Sequence, residues 1–211
     1  MADFSIEKSI NGPVIGLDEV GRGPLAGPVV SCGCMFFDYD KLSHPIQITD
    51  SKKLSSKKRR ELVLYFYKLQ KEKLMKFNLS LATVKEIDEL NILEATKLSM
   101  KRVIDKFEEK NISIIIDGNF SLEYEYINEK SIIGGDKKSI SIAAASIIAK
   151  VYRDRLMSIY NNKFKIYGWK QNAGYGTKKH IDAINKNGVT NLHRKSFEPI
   201  KSLLKNNSIK Y

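Results

Sequence analysis

The feature that most constrains the fold is a run of five residues, Ile112 to Ile116, that is short, almost continuously apolar and rich in β-branched side chains. A strand with one face in water alternates apolar and polar residues, whereas a strand covered on both faces does not. The run therefore predicts a central strand buried on both faces. It ends at Asp117, Gly118 and Asn119, which is a turn signal.

The hydrophobic pattern elsewhere predicts an α/β fold around that strand. Apolar runs predict further strands near residues 14–17, 28–37, 79–82 and 132–133. Apolar residues at helical spacing predict helices over residues 55–76, 90–110 and 139–161, with shorter ones near 177–187 and 196–205. Strands that first follow one another and then alternate with helices indicate an α/β sheet with a helical C-terminal end.

The positive charge is concentrated in two segments. Of the net charge of +12, residues 51–76 carry +8 and residues 163–211 carry +9, while the rest of the chain is slightly acidic. A basic surface around a neutral body suits a polyanion such as nucleic acid. A lysine-rich surface that only keeps the protein in solution would give the same net charges, so charge alone leaves both interpretations open.

Composition excludes several classes of protein. The chain is 42% hydrophobic and 28% charged, which is typical of neither disordered nor fibrous proteins. No apolar run approaches the roughly 20 residues of a membrane span, and no secretory leader is visible. Cys32 and Cys34 cannot form a disulfide framework, and two thiols fall short of the four ligands of structural zinc. We therefore expect a reduced, cytoplasmic protein without membrane association.

Acidic residues follow three of the predicted strands, at Asp18 with Glu19, at Asp117 and at Asp136. Each site lies beside glycine, and ligands of open α/β sheets collect outside the strand ends. Converging carboxylates repel one another, and Mg²⁺ or Mn²⁺, which prefer hard oxygen ligands, remove that repulsion. One aspartate at such a place is as readily an ordinary turn residue, so it is the three sites together that favour a metal centre.

Asp18 and Glu19 add a constraint, because adjacent residues of a straight strand point to opposite faces. For both side chains to share one pocket, the strand must bend or end there. Gly21 and Gly23 would permit such a bend. We therefore expect the first strand to bend or end close to the acidic pair.

The segment from Gly16 to Pro28 closely resembles the signature of ribonuclease HII, a type 2 ribonuclease H. The resemblance covers nearly the whole chain, from about residue 13 to 204, and its motifs follow one another in the family's order. The other motifs lie at residues 50–55, 86–93, 116–119, 135–136, 141–151, 153–155, 174–177 and 193–197. One such motif carries little weight, whereas this many in register identify a family.

The resemblance implies a ribonuclease H-like mixed β-sheet flanked by helices. Residues 1–162 would form the catalytic domain, and residues 163–211 would form a small helical, substrate-binding extension of the same domain. The implied enzyme is an endoribonuclease H, a phosphodiester hydrolase that cuts the RNA strand of RNA–DNA hybrids. It would use two divalent ions, Mg²⁺ or Mn²⁺, and leave a 5′-phosphate and a 3′-hydroxyl.

The resemblance also assigns the site residues. The catalytic, metal-binding carboxylates of the family correspond to Asp18, Glu19, Asp117 and Asp136. Asp154 is the rival fourth ligand, and the resemblance assigns it instead to a structural role beside Arg153 or Arg155. Substrate-binding positions of the family correspond to Gly21, Arg22, Gly23, Lys52, Lys53, Tyr175, Arg194, Lys195 and Ser196.

Two of these elements would read the sugar. The absence of side chains at the two glycines of Gly21-Arg22-Gly23 lets the backbone approach a ribose, whose 2′-hydroxyl distinguishes RNA from DNA. Tyr175 resembles the family tyrosine that packs on the sugar at the RNA-to-DNA junction. Together they imply incision on the 5′ side of a single ribonucleotide embedded in duplex DNA, as in ribonucleotide excision repair and primer removal during DNA replication. The basic residues would contact phosphates, and we expect a monomer without an obligate protein partner.

Other interpretations fit the sequence less well. A dinucleotide-binding loop would lead into a helix, whereas Gly21 to Gly27 contains a proline and leads into a predicted strand. A non-catalytic basic RNA-binding module would explain the charge but not the acidic strand ends. Ribonuclease HIII shares the chemistry but carries an additional N-terminal domain and lacks the Gly-Arg-Gly element.

Some residues match no site. His44, His180 and His193 are too far apart in the sequence to suggest a shared site, and His180 is expected to be a helix residue. The segment from Leu203 to Tyr211 lacks the Gln and paired aromatic residues of a sliding-clamp-binding tail. Residues 1–12 resemble no segment that we can name.

Overall fold

Five strands form one mixed sheet in the computed structural model, which describes residues 2–42, 54–124 and 127–209. The spatial order is β3-β2-β1-β4-β5, and β1, β4 and β5 run parallel to one another. The strands are β1 (Val14–Val20), β2 (Val29–Phe36), β3 (Met75–Ala82), β4 (Ser113–Asp117) and β5 (Asn128–Ile132). The predicted α/β class is confirmed.

Strand β4 is the central buried strand that the isoleucine run predicted. Ile114, Ile115 and Ile116 are all buried, and β4 lies between β1 and β5. The register pairs Ile116 with Leu17 on one side and Asp117 with Ile132 on the other. Asp117 is thus the last residue of the strand.

Eight α-helices accompany the sheet within the described part of the chain. They are α1 (Ser5–Lys8), α2 (Ser56–Lys71), α3 (Val84–Leu90), α4 (Ile92–Ile104), α5 (Ile140–Lys163), α6 (Trp169–Asn172), α7 (Lys178–Asn187) and α8 (Ile200–Lys205). Two 3₁₀ turns, Gly135–Lys137 and Lys165–Tyr167, complete the set. No helix among the described residues is long and apolar enough to cross a membrane.

The predicted helix over residues 90–110 is wrong at its start and at its end. Helix α3 precedes it, and Asn91 separates α3 from α4 with a positive φ of 73°. The Asn91 side chain accepts hydrogen bonds from the amides of Leu93 and Glu94, which caps α4. Helix α3 itself begins with a capping box between Thr83 and Glu86, a signal that the sequence does contain.

Two further boundaries differ from the prediction. Helix α2 ends at Lys71 rather than near Lys76, because β3 begins at Met75. Strand β5 extends over residues 128–132 although its sequence is largely polar. It is an edge strand whose residues are mostly exposed, so the apolar residues 132–133 indicated only its end.

The chain divides into two compact units, each with its own apolar core. The first contains the described residues of Met1–Val20, Ser31–Ser80 and Ser99–Val151. One of its cores covers a face of the sheet with Leu17, Met100 and Val103, and another joins Val14, Ile115 and Ile142. The predicted catalytic domain and extension, residues 1–162 and 163–211, stay a prediction.

Strand β1 packs directly on helix α5 in the first unit. A Cβ atom at Gly16 would lie 2.5 Å from the backbone nitrogen of Ile142, so no side chain fits there. The first turns of α5, residues 141–149, are wholly buried, and three consecutive alanines allow the close approach. This contact brings Ser146 of the helix to Asp18 of the strand, where its side chain forms a hydrogen bond with the carboxylate.

The second unit contains the described residues of Gly21–Val30, Leu81–Leu98 and Tyr152–Tyr211. Its main core gathers Leu25, Met157, Tyr167, Trp169 and Ile184. Trp169 is fully buried and stacks on Tyr167 with ring centroids 5.3 Å apart. Residues from the C-terminal third of the chain therefore build this unit around the segment that follows β1.

Glu7 in α1 gives the N-terminal residues a structural role. Its buried carboxylate accepts hydrogen bonds from the Ser139 hydroxyl at 2.7 Å and from the Ser141 amide at 2.9 Å. The Ser139 hydroxyl in turn accepts a hydrogen bond from the amide of Ile142. Glu7 therefore completes the N-terminal cap of α5, the helix that carries Ser146.

Replacing Glu7 with alanine should lower the free energy of unfolding by about 2 kcal/mol, because a buried amide and a buried hydroxyl lose their acceptor. Denaturant unfolding followed by circular dichroism measures the change. The matched control is Glu89→Ala, an exposed glutamate on α3, which should cost no more than about 0.5 kcal/mol. Equal losses in the two variants would contradict the capping role.

Candidate active site

The four predicted carboxylates all lie in the first unit. Asp18 and Glu19 are on β1, and Asp117 ends the adjacent parallel strand β4. Asp136 lies in the 3₁₀ turn that follows β5. Strand β1 includes both acidic residues and ends at Val20, directly after Glu19, which agrees with the expectation that it bends or ends close to the pair.

Asp18 is buried, and its surroundings shift its pKa. Its carboxylate accepts a hydrogen bond from the Glu19 amide at 2.7 Å and another from the Ser146 side chain. Burial raises the pKa of Asp18 well above its usual range, and the negative charges of Glu19 and Asp117 raise it further. The charges of Glu19 and Asp117 therefore both act on the Asp18 carboxylate.

Asp117 and Asp136 are joined through Gly135. The Gly135 amide donates to the Asp117 carboxylate at 2.7 Å, and Asp136, which is buried, is the next residue in the chain. Gly134 turns the chain with a positive φ of 64°, after which the 3₁₀ turn begins. The turn thus ties the end of β4 to the residue that carries the fourth carboxylate.

The donor set suits a hard divalent cation. A cation would remove the repulsion that raises the pKa of Asp18. Across residues 2–42, 54–124 and 127–209, no three His, Cys, Asp or Glu side chains are arranged to hold one ion by themselves. Mg²⁺ is usually held by one or two carboxylates together with water and substrate phosphates, so an open set of oxygens fits it.

The Gly21-Arg22-Gly23 loop and Tyr175 meet in the second unit. A Cβ atom built on Gly23 would lie 3.7 Å from Cε1 of Tyr175, so the aromatic ring is near the loop, with space for about one methyl group between them. Gly23 and Tyr175 are both exposed. The Leu25 amide donates to the Gly174 carbonyl, which ties the two chain segments together. The predicted ribose-reading pair is therefore assembled at one surface.

Two buried arginines donate hydrogen bonds to the backbone of this loop and of the residues that follow it. Arg194 donates hydrogen bonds to the carbonyl oxygens of Gly21, Arg22 and Gly27, and Arg153 donates to those of three residues, Ala26, Pro28 and Ala173. Both side chains are fully buried. Burial lowers the pKa of Arg153 to about 10 and, with the charge of Arg153, that of Arg194 to about 9. Both guanidinium groups thus remain charged at neutral pH.

The structure describes three of the five predicted phosphate-binding residues: Arg194, Lys195 and Ser196. The Arg194 guanidinium already donates to carbonyl oxygens inside the unit. Its contact with a phosphate stays a prediction, because the guanidinium would have to give up these hydrogen bonds to form it. Lys195 and Ser196 are exposed, and their amides donate to the carboxylate of Asp88 at 3.1 and 2.9 Å. Lys52 and Lys53 lie outside the described residues, as does His44.

The charge of Asp154 acts on Arg153, where it opposes the lowering of the arginine pKa by burial. The structural role that the resemblance gave to Asp154 beside an arginine is therefore supported. Asp88 was not singled out for any role, although it lies in a family motif. Its three hydrogen bonds to residues 195 and 196 could be found only from the fold.

The expectation that the histidines are too far apart to share a site is wrong for two of them. His180 is a residue of α7, as predicted, but its Nε2 lies 3.2 Å from Nε2 of His193. Both side chains are buried among Tyr167 and Trp169. Thirteen residues separate the two histidines in the sequence, and only the packing of the second unit brings them together.

Comparison with known proteins identifies the family. The sequence model of ribonuclease HII matches residues 15–200. Ribonuclease HII of Wolbachia pipientis subsp. Culex pipiens is 49% identical over 204 residues, which cover 95% of this chain and 98% of that protein. The chain belongs to the ribonuclease HII family. It is therefore an endoribonuclease H.

Solved structures agree with this assignment. Ribonuclease H2 from Pyrococcus horikoshii OT3 superposes with a TM-score of 0.73 at 26% identity, covering 92% of this chain and 98% of that one. Bst-RNase HIII, solved in complex with Mn²⁺, has a TM-score of 0.66 at 18% identity and shares the fold over 92% of this chain and 70% of its own. The predicted ribonuclease H-like sheet flanked by helices is confirmed.

Proposed function

We propose that the chain hydrolyses RNA–DNA hybrids by a two-metal mechanism, with Asp18, Glu19, Asp117 and Asp136 as the metal-binding residues. Bound divalent ions, Mg²⁺ or Mn²⁺, would lower the pKa of the attacking water and stabilise the leaving 3′-oxygen. The products would be a 5′-phosphate and a 3′-hydroxyl. The observation that carries this proposal is geometric: the buried Asp18 carboxylate follows Leu17 on β1, next to Glu19, and Asp117 ends the adjacent parallel strand β4.

The protein's own groups orient the carboxylates. Hydrogen bonds from the Glu19 amide and from Ser146 to Asp18 favour its charged form, which a cation requires. The Gly135 amide fixes one oxygen of Asp117 and leaves the other oxygen available for a ligand. The parallel neighbours β1 and β4 are rigid elements, which suits a site that must hold its ligands at fixed positions.

We further propose incision on the 5′ side of a single ribonucleotide in duplex DNA. The Gly21-Arg22-Gly23 backbone would bond the 2′-hydroxyl, and Tyr175 would pack on the adjoining deoxyribose. The nearness of Gly23 to the Tyr175 ring supports this assignment, because one surface then presents both groups to neighbouring sugars. Such an activity would serve removal of ribonucleotides and primers from DNA, in the cytoplasm and without an obligate protein partner.

Basic residues would supply the affinity for the duplex. Lys52, Lys53 and Lys195 are proposed phosphate contacts, together with Arg194 and Ser196. Residues 163–211, with a net charge of +9, would add attraction that weakens with salt and does not depend on sequence. Phosphate contacts fix the register of the duplex, and the loop then selects the ribose.

A duplex with one embedded ribonucleotide tests the proposal directly. In the presence of Mg²⁺ or Mn²⁺, the protein should nick the strand 5′ of that ribose, because the loop reads a single 2′-hydroxyl. Denaturing electrophoresis with a labelled strand maps the nick. The matched all-DNA duplex is the control and should stay intact.

The result also separates the alternatives. Cleavage of long RNA tracts without cleavage at a single ribonucleotide would reject the assignment of the loop and Tyr175. Binding without cleavage under either metal would favour a non-catalytic RNA-binding module, the competing function that the basic charge allows.

A further inference from the structure

A chain of hydrogen bonds leads from the buried histidines to Tyr175. The Thr190 amide donates to Nδ1 of His193 at 2.9 Å, and the two Nε2 atoms of the histidines are 3.2 Å apart. Nε1 of Trp169 donates to Nε2 of His180 at 3.0 Å. Nδ1 of His180 lies 2.8 Å from the carbonyl oxygen of Tyr175.

The partners determine where each proton lies. Trp169 can only donate, so Nε2 of His180 must accept, and the proton of His180 is on Nδ1. His180 therefore donates that proton to the Tyr175 carbonyl. The amide of Thr190 likewise can only donate, so Nδ1 of His193 accepts and its Nε2 donates to His180. The single lone pair of His180 Nε2 is then shared by two donors, Trp169 and His193, and the Thr190 hydroxyl also lies 3.1 Å from Nδ1 of His193.

The surroundings keep both rings neutral. Burial lowers the pKa of His180, and burial together with the neighbouring His180 lowers the pKa of His193 to about 3. The ring centroids of Tyr167 and Trp169 lie 4.6 Å and 5.3 Å from that of His193, so aromatic groups surround the buried imidazole. At neutral pH the proton arrangement is therefore a fixed property of the fold.

We infer that His180 is a positioning residue for Tyr175, held in the required tautomer by Trp169 and His193. The inference rests on the proposed role of Tyr175 at the sugar. Tyr175 is 45% exposed, and its ring has the Gly23 backbone as a neighbour, so its position depends largely on its backbone. That backbone is fixed by the Thr177 amide and by His180, which both donate to the Tyr175 carbonyl.

Two substitutions at position 180 separate positioning from packing. His180→Leu fills a similar volume but cannot donate to the Tyr175 carbonyl. His180→Asn places an amide nitrogen where Nδ1 stood and can still donate, although it leaves Trp169 without its acceptor. If His180 were needed only for packing, replacing it with Asn would impair the protein at least as much as replacing it with Leu.

The readout is the rate of nicking at a single ribonucleotide divided by the rate of cutting a long hybrid. Both rates come from one preparation, so the folded fraction cancels. His180→Leu should lower this ratio about 5- to 10-fold, as expected for one lost hydrogen bond, while His180→Asn should stay within about twofold of the unaltered protein. The matched control, Tyr167→Phe, loses a buried bond to the Gly188 carbonyl and should leave the ratio unchanged.

A double-mutant cycle with Tyr175→Ala completes the test. If His180 acts through Tyr175, His180→Leu should not lower the ratio further in the Tyr175→Ala background. A ratio that stays unchanged in His180→Leu, or that falls equally with Asn, overturns the positioning role. Failure of the proposed function is a separate result, because Tyr175→Ala itself would then leave the ratio unchanged.

Discussion

Replacing Asp117 with asparagine should lower the rate of hybrid cleavage by at least about 10³-fold. A metal-bound transition state gains several kcal/mol from its ligands, and each 1.4 kcal/mol corresponds to about tenfold in rate. Asparagine keeps an oxygen that accepts the Gly135 amide, so the turn that carries Asp136 should persist. Single-turnover cleavage of a labelled hybrid with saturating Mg²⁺ measures the loss.

Folding and binding should survive this substitution. Fluorescence anisotropy with a hybrid should show affinity within a few-fold of the unaltered protein, since phosphate contacts supply most of it. Asp182→Asn, an exposed aspartate on α7, is the matched control and should cleave normally. Retained turnover in Asp117→Asn would remove Asp117 from the metal site.

The second large effect is expected at Gly21, where alanine should lower the free energy of unfolding by about 3 kcal/mol. A Cβ atom there would lie 2.1 Å from Nε of Arg153, and the backbone φ of 104° is unfavourable for any residue with a side chain. Overpacking and the strained φ each cost about 1–3 kcal/mol. Denaturant unfolding measures the difference.

Gly23→Ala provides the matched comparison, two residues away in the same loop. Its Cβ would meet Tyr175 only at ordinary van der Waals distance, so the stability should change by less than about 1 kcal/mol. The added methyl group would nevertheless occupy the proposed approach of the ribose, and nicking at a single ribonucleotide should fall. Equal destabilisation by the two substitutions would show that Arg153 does not confine Gly21.

Local sequence signals were sufficient to predict the sheet core and the positions of the acidic residues. The isoleucine run identified β4 because burial on both faces leaves a pattern that short segments preserve. The glycines beside Asp117 and Asp136 indicated turns, and the structure links those turns through the Gly135 amide. Assignment of the carboxylates to metal ions still depended on the family resemblance.

Other features depend on contacts between distant residues and left no local pattern. Arg194 lies 173 positions after Gly21, and neither residue indicates the other in the sequence. The meeting of His180 and His193 has the same origin. Only the end of strand β5, near residues 132–133, was predicted, because the rest of this exposed edge strand has no apolar side chains to indicate it.

The separation between Arg194 and Gly21 also sets an order of events during synthesis of the chain. All four carboxylates leave the ribosome before Arg194 does, whereas the carbonyl oxygens of Gly21 and Arg22 must wait for its guanidinium. Since chains begin to fold from the N-terminal side as they are made, we expect the loop proposed to select the sugar to become ordered late, when Arg194 reaches it.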